Sequence, residues 1–177
     1  MRFIHPTFIT ILASIASILF FVLVVYGLYV WALVAFLGTA FDAVDGMLAR
    51  KYGKATVFGG FLDSTLDRVS DFFIISAFAF GGIVSWEIMT TLLGFSFLTS
   101  YIRSRGELVS EGKVKFNVGL IERAPRLVSL FIALFLYMLF PALTLFGKNI
   151  AEVVFLILIV LSAWTVGQRI YYAYKKL

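Results

Sequence analysis

The chain has 177 residues, 62% of them hydrophobic and only 14% charged, with a net charge of +5. Soluble globular domains are nearer half apolar and a quarter charged, so this composition predicts an all-α integral membrane protein of about six transmembrane helices, each of ~20 residues. With no cysteine and a single histidine, His5, it excludes disulfides, thiolate catalysis, cysteine zinc sites and histidine-rich metal centres, and its positive charge fits loops that face anionic lipid, with no nucleic-acid partner expected.

Along the chain, Met1 to Thr7 reads as a short interfacial segment, and the apolar run from Phe8 to about Tyr26 as a first span ended by Gly27. No cleavable signal is expected, because this run lacks a small-residue cleavage site and leads straight into a second span, Tyr29 to about Arg50. Lys51 to Lys54 forms a basic turn. Thr56 to about Phe80 is the third span, polar in its first half (Asp63, Asp67, Arg68, Asp71) and apolar in its second. After Gly81-Gly82, the fourth span runs from Trp86 to about Ser104. Gly106 to Lys115 is the longest polar connection. Leu120 to Phe140 is the fifth span, Pro141 to Asn149 turns the chain, and Ala151 to about Tyr172 is the sixth. There is no stretch for a separate soluble domain, so residues 1–177 read as one transmembrane domain. Placing the N-terminus in the cytoplasm puts Arg50, Lys51, Lys54, Arg103, Arg105, Lys113, Lys115, Arg169, Lys175 and Lys176 on the inner side and only Lys148 on the outer, as the positive-inside rule requires. The expectation is a multi-pass cell-membrane protein with both termini facing the cytoplasm.

Four acids interrupt this apolar background: Asp42, Asp45, Asp63 and Asp67. An ionised carboxylate within a bilayer costs at least ~2.5–3.5 kcal/mol, so the four require a shared partner that offsets that cost. A divalent cation is the simplest, since hard cations take carboxylate oxygens. Asp42 and Asp45 are three residues apart and Asp63 and Asp67 four, so each pair projects from one helix face. Two such helices side by side bring all four acids together, at the cytoplasmic end of spans two and three.

The full pattern, Asp42-x2-Asp45-Gly46-x2-Ala49-Arg50-x8-Gly59-x3-Asp63-x3-Asp67, resembles the signature of the CDP-alcohol phosphotransferase family in every defined position. The six-span layout extends the resemblance over essentially the whole chain. It implies a phospholipid-synthesising enzyme that moves a phosphatidyl-type group from a CDP-linked lipid, CDP-diacylglycerol or CDP-archaeol, to an alcohol and releases CMP. It further implies that Asp42 and Asp63 bridge two Mg2+ ions, with Mn2+ as the other candidate, that Asp45 and Asp67 each ligate one, and that Asp67 is also the general base. Thr7, Gly46, Arg50, Thr56 and Gly59 resemble positions where the family meets the CDP-lipid, and a homodimer is implied as well. The chemistry of the residues agrees. A pyrophosphate needs cations before a nucleophile can approach, two metals about 3.5–4 Å apart can clamp such a displacement, and glycines allow close approach. Lys51 reads as a snorkelling anchor, and Trp31, Trp86, Tyr171, Tyr172 and Tyr174 as interfacial belt residues.

The acceptor is read from two later cationic stretches, Ser100-Tyr101-Ile102-Arg103-Ser104-Arg105 and Ile121-Glu122-Arg123-Ala124-Pro125-Arg126. Arginine binds phosphate bidentately, so two arginine clusters predict an acceptor that itself bears a phosphate, held by Arg105, Arg123 and Arg126. The stretches resemble those of the phosphatidylinositol phosphate and archaetidylinositol phosphate synthase branch, although the middle of the second departs from that branch's pattern. This implies inositol 1-phosphate as acceptor, with glycerol 3-phosphate as the alternative. The alternative is that these arginines only set topology and bind anionic headgroups. Outside the class, intramembrane acids also mark cation transporters, but such sites are expected near the midplane between repeats, and here the acids lie at one face with no repeat visible.

Overall fold

The computed structural model describes residues 6–39 and 56–177, with side-chain surroundings from residue 11 onward in the first helix. Among the described residues there are six helices: α1 (Pro6–Val25), α2 (described over Tyr29–Thr39), α3 (Val57–Phe80), α4 (Trp86–Val109), α5 (Arg123–Leu139) and α6 (Ile150–Lys176). The all-α expectation holds, apart from one short hairpin. The chain forms two compact units, Met1–Gly82 and Ile83–Leu177.

In the first unit, α1 starts with Pro6, whose fixed φ and missing N–H suit the first helical position. It stops where expected. Gly27 takes φ +72°, and the Leu28 N–H donates to the Leu23 carbonyl at 2.8 Å, the 6→1 bond that closes a Schellman motif. This tight turn sends α2 back along α1. The Phe20 and Phe36 rings meet edge-to-face at 5.2 Å, and a Cβ on Gly38 would stand 3.4 Å from the Ala16 Cβ. Small residues at such a contact let the two helix backbones approach closely. α3 packs on α1 through Phe21, whose ring lies 5.7 Å from Phe73 and 5.1 Å from Phe80. Where α3 ends, a side chain at Gly81 would meet Val24 Cγ1 at 3.0 Å and the Ala77 carbonyl at 3.1 Å, so this glycine serves close packing as well as the turn.

In the second unit, α6 packs against both α4 and α5. At its start, the Asn149 Oδ1 accepts from the Glu152 N–H at 2.9 Å, while its Nδ2 donates to the Ile83 carbonyl at 2.6 Å. Glu152 in the first turn and Lys175 and Lys176 in the last complement the helix dipole. With 27 residues, α6 is about 40 Å long, and among the described residues it is the helix whose length and apolarity by themselves suffice to cross a bilayer. α3 and α4 are nearly as long, but their charged halves lower their apolarity.

Several boundaries differ from expectation. α4 runs to Val109, so Arg103 and Arg105 are helical and the polar connection begins only at Ser110. α5 begins at Arg123 because Pro125 is confined to a first turn, where the missing N–H has no helical partner to lose. The turn after α5 contains a two-stranded hairpin, Thr144–Leu145 paired with Lys148–Asn149. Phe146 and Gly147 at its tip have φ of 55° and 72°, the paired positive values of a tight hairpin turn.

Candidate functional site

Of the candidate metal ligands, Asp63 and Asp67 are described. Asp42 and Asp45 lie outside the described residues, as do Gly46 and Arg50, and Thr7 is described only as part of α1. Asp63 and Asp67 stand one turn apart on α3 and both are half-buried. Their helix is launched by Thr56, whose Oγ1 accepts from the Gly59 N–H at 3.0 Å. This cap explains Gly59 locally: a Cβ there would lie 2.9 Å from the Thr56 hydroxyl. The two residues predicted at the CDP-lipid thus also act together to start the helix that carries the acids.

The next charges on α3 form a small cluster of ion pairs. Arg68 Nη2 is 3.8 Å from Asp67 Oδ2 and 3.6 Å from Asp71 Oδ2, and the Asp71 side chain is fully buried. The Arg68 Nε is buried without a hydrogen bond among the described residues. Asp71 was unassigned in the sequence beyond excess polarity, although its i, i+3 spacing from Arg68 already signalled a pair. Asp63 and Asp67 supply only oxygen donors on one helix face, which fits a hard divalent cation. Among the described residues no third acid, histidine or cysteine joins them. The other two acids of the signature, Asp42 and Asp45, lie outside the described residues.

The candidate acceptor residues belong to the second unit. Arg126 is almost fully buried, Arg123 is half-buried and Arg105 is exposed. Arg103, two positions before Arg105 and so about 200° around the helix, pairs instead with Glu107 at 3.3 Å. Glu107 Oε1 also accepts from the Phe116 N–H at 3.3 Å, which folds the polar connection back onto α4. The Phe116 ring is buried against Tyr172 at 5.4 Å and fills the space over Gly106, where a Cβ would come within 2.4 Å of it.

Arg169 on α6 lies at the centre of this arrangement. It donates from Nε to the Val118 carbonyl at 2.7 Å, from Nη1 to the Thr99 carbonyl at 2.6 Å, and from Nη2 to Glu122 Oε1 at 3.3 Å. Arg103, Glu107 and Arg126 are within its electrostatic reach. The sequence assigned Arg169 to membrane topology alone. Its position in an apolar helix, four residues after Thr165, was the signal of an interior role.

Residues 3–166 match the CDP-alcohol phosphatidyltransferase family. The chain belongs to that family and is a transferase of that class. It is similar to the archaetidylinositol phosphate synthase of Pyrococcus horikoshii, 41% identical over 141 residues that cover 79% of this chain and 67% of the relative. It is also similar to the phosphatidylinositol phosphate synthase of Streptomyces avermitilis, 38% identical over 136 residues that cover 72% of this chain and 54% of that protein. Its fold matches the crystal structure of Mycobacterium tuberculosis phosphatidylinositol phosphate synthase with CDP-DAG bound, with a TM-score of 0.79 and 26% identity over 97% of this chain and 87% of that one. A second crystal structure of the Mycobacterium enzyme, in complex with manganese and citrate, matches with the same TM-score and covers 83% of that chain.

Proposed function

We propose that this chain transfers a phosphatidyl-type group from a CDP-linked lipid, CDP-diacylglycerol or CDP-archaeol, to inositol 1-phosphate, releasing CMP. The observation that carries this reading is the complete acidic signature in a chain 41% identical to an archaetidylinositol phosphate synthase over most of its length. The acceptor hydroxyl oxygen attacks the lipid-linked phosphorus, its proton passes to the Asp67 carboxylate, and the pyrophosphate P–O bond breaks to free CMP. Asp42, Asp45, Asp63 and Asp67 are the residues that would hold two Mg2+ ions, whose chemistry when bound would be to offset the negative charge of the pyrophosphate and of the leaving group. Arg50 binds the pyrophosphate side of the donor, with Thr7, Gly46, Thr56 and Gly59 around it. Arg105, Arg123 and Arg126 bind the acceptor phosphate. The distribution of basic residues along the sequence supports six spans of a single transmembrane domain, with termini and site toward the cytoplasm, and the family likeness supports a homodimer.

The test supplies the purified protein in detergent with CDP-diacylglycerol or CDP-archaeol, Mg2+, and one of inositol 1-phosphate, glycerol 3-phosphate, free inositol or serine, and identifies the lipid product by mass. A phosphorylated inositol lipid that forms only with inositol 1-phosphate and disappears on chelation of the metal is the expected result. A phosphatidylglycerophosphate-type product would replace the acceptor assignment and keep the reaction. Absence of metal-dependent CMP release from every pair would overturn the proposed reaction.

A further inference from the structure

The polar connection that leads into α5 is gripped from α6 by two buried side chains one turn apart, Thr165 and Arg169. Thr165 Oγ1 donates its single proton to the Leu161 carbonyl at 2.8 Å, so its lone pairs remain to accept, and it accepts the Ile121 N–H at 3.1 Å. That N–H precedes the N-cap residue Glu122, so no helical carbonyl can satisfy it. Two residues earlier, Gly119 has φ +136°, and a Cβ on it would lie 2.3 Å from Thr165 Cγ2. The threonine methyl therefore occupies the place of a side chain at 119 while its hydroxyl holds the backbone at 121. Arg169 fixes Val118 and Glu122 on either side of this contact. Arg123 is the first residue of α5 and Arg126 lies one turn on.

We propose that Thr165 and Gly119 are positioning residues for acceptor recognition: their interlock sets the point and direction in which α5 begins, and so where Arg123 and Arg126 stand. The proposal rests on the reading of these arginines as ligands of the acceptor phosphate. Neither residue touches substrate in this scheme. Both act through the start of α5. Small displacements of a binding group cost large factors in recognition, whereas CDP-lipid binding, assigned to residues before position 68, is left alone.

The experiment uses the full-length protein in detergent and compares Thr165→Val, Thr165→Ser and Gly119→Ala with the parent. It measures kcat, the acceptor KM and the CDP-lipid KM separately. Valine matches threonine in shape but cannot accept the Ile121 N–H, while serine keeps that hydroxyl. We expect Thr165→Val and Gly119→Ala to raise the acceptor KM about tenfold or more, with an unchanged CDP-lipid KM, and Thr165→Ser, which keeps the hydroxyl but loses the methyl over Gly119, to raise it clearly less than Thr165→Val. An unchanged acceptor KM in Thr165→Val, or equal damage in the valine and serine variants, would overturn the proposal. If Gly119→Ala does not fold, the valine–serine pair decides alone. The parent's acceptor preference separates the two levels of inference. Turnover of a different phosphorylated alcohol removes the inositol 1-phosphate assignment, and the interlock is then read on that acceptor. Use of unphosphorylated alcohols alone overturns both.

Discussion

Asp63 and Asp67 occupy the same helix face, yet the proposed mechanism asks different things of them. In the proposed two-metal scheme Asp63 would help hold both ions, so Asp63→Ala should abolish metal-dependent CMP release while leaving the folded protein intact by size exclusion and circular dichroism; near-normal turnover would sink that scheme. As the proposed base, Asp67 would also receive a proton. A general base contributes typically 10²–10⁴-fold, so Asp67→Asn should lower kcat by about that factor while the protein still binds CDP-lipid. Equal loss of nucleotide binding and chemistry would reduce Asp67 to a metal ligand. Arg123 tests the acceptor side. One charge-assisted contact is worth roughly 1.5–3 kcal/mol, and each ~1.4 kcal/mol is a factor of ten, so Arg123→Ala should raise the acceptor KM by about tenfold or more without altering the CDP-lipid KM. The residue types and spacings of α3 were enough to single out these acids. The Thr56–Gly59 contact was not legible, because a capping hydrogen bond and a substrate contact ask for the same small and hydroxylated residues.

At the scale of elements, the polar connection between α4 and α5 behaves as part of the packed structure. Phe116 is buried, its N–H is held by Glu107, and its ring lies over Gly106. Overpacking a buried site costs typically 1–3 kcal/mol, so Gly106→Ala should lower thermal stability in detergent by about that amount, and adding Phe116→Leu should recover part of the loss. A Gly106→Ala protein as stable as the parent would show that the ring is free to move aside. The sequence showed Gly106 to Lys115 as a polar loop because its hydrophobic anchor is a single phenylalanine beyond the run of charges. The longer α4 has the same origin: Arg and Glu favour helix as well as water, so a fall in hydropathy after Ser104 marked where the apolar span ends, not where the helix does.

For the whole molecule, the absence of cysteine makes the proposed topology directly testable. A single cysteine at Lys113, in the α4–α5 connection, should react with an impermeant thiol reagent only from the cytoplasmic side. A single cysteine at Phe146, fully exposed at the hairpin tip, should react only from the opposite side. Labelling of both from one side would overturn the six-span arrangement. The charge distribution motivates this orientation, with Lys148 as the one basic residue assigned to the outer turns, and it remains independent of the acceptor question.

The sequence by itself determined the helical class, the acidic signature and the family, because these rest on local periodicity, fixed spacing and the high cost of charge among apolar residues. It also marked the arginines as candidates through their chemistry. Tertiary structure decided which of them are interior. Arg126 is buried, Arg105 is exposed, and Arg169 joins backbone carbonyls of residues 99 and 118 to Glu122, contacts separated by dozens of positions in the chain. The same holds for Gly119 and Thr165, 46 residues apart, whose interlock depends on a positive φ and a methyl group meeting in space. No spacing rule reports such pairs, because the fit between them exists only once α6 has packed against the start of α5.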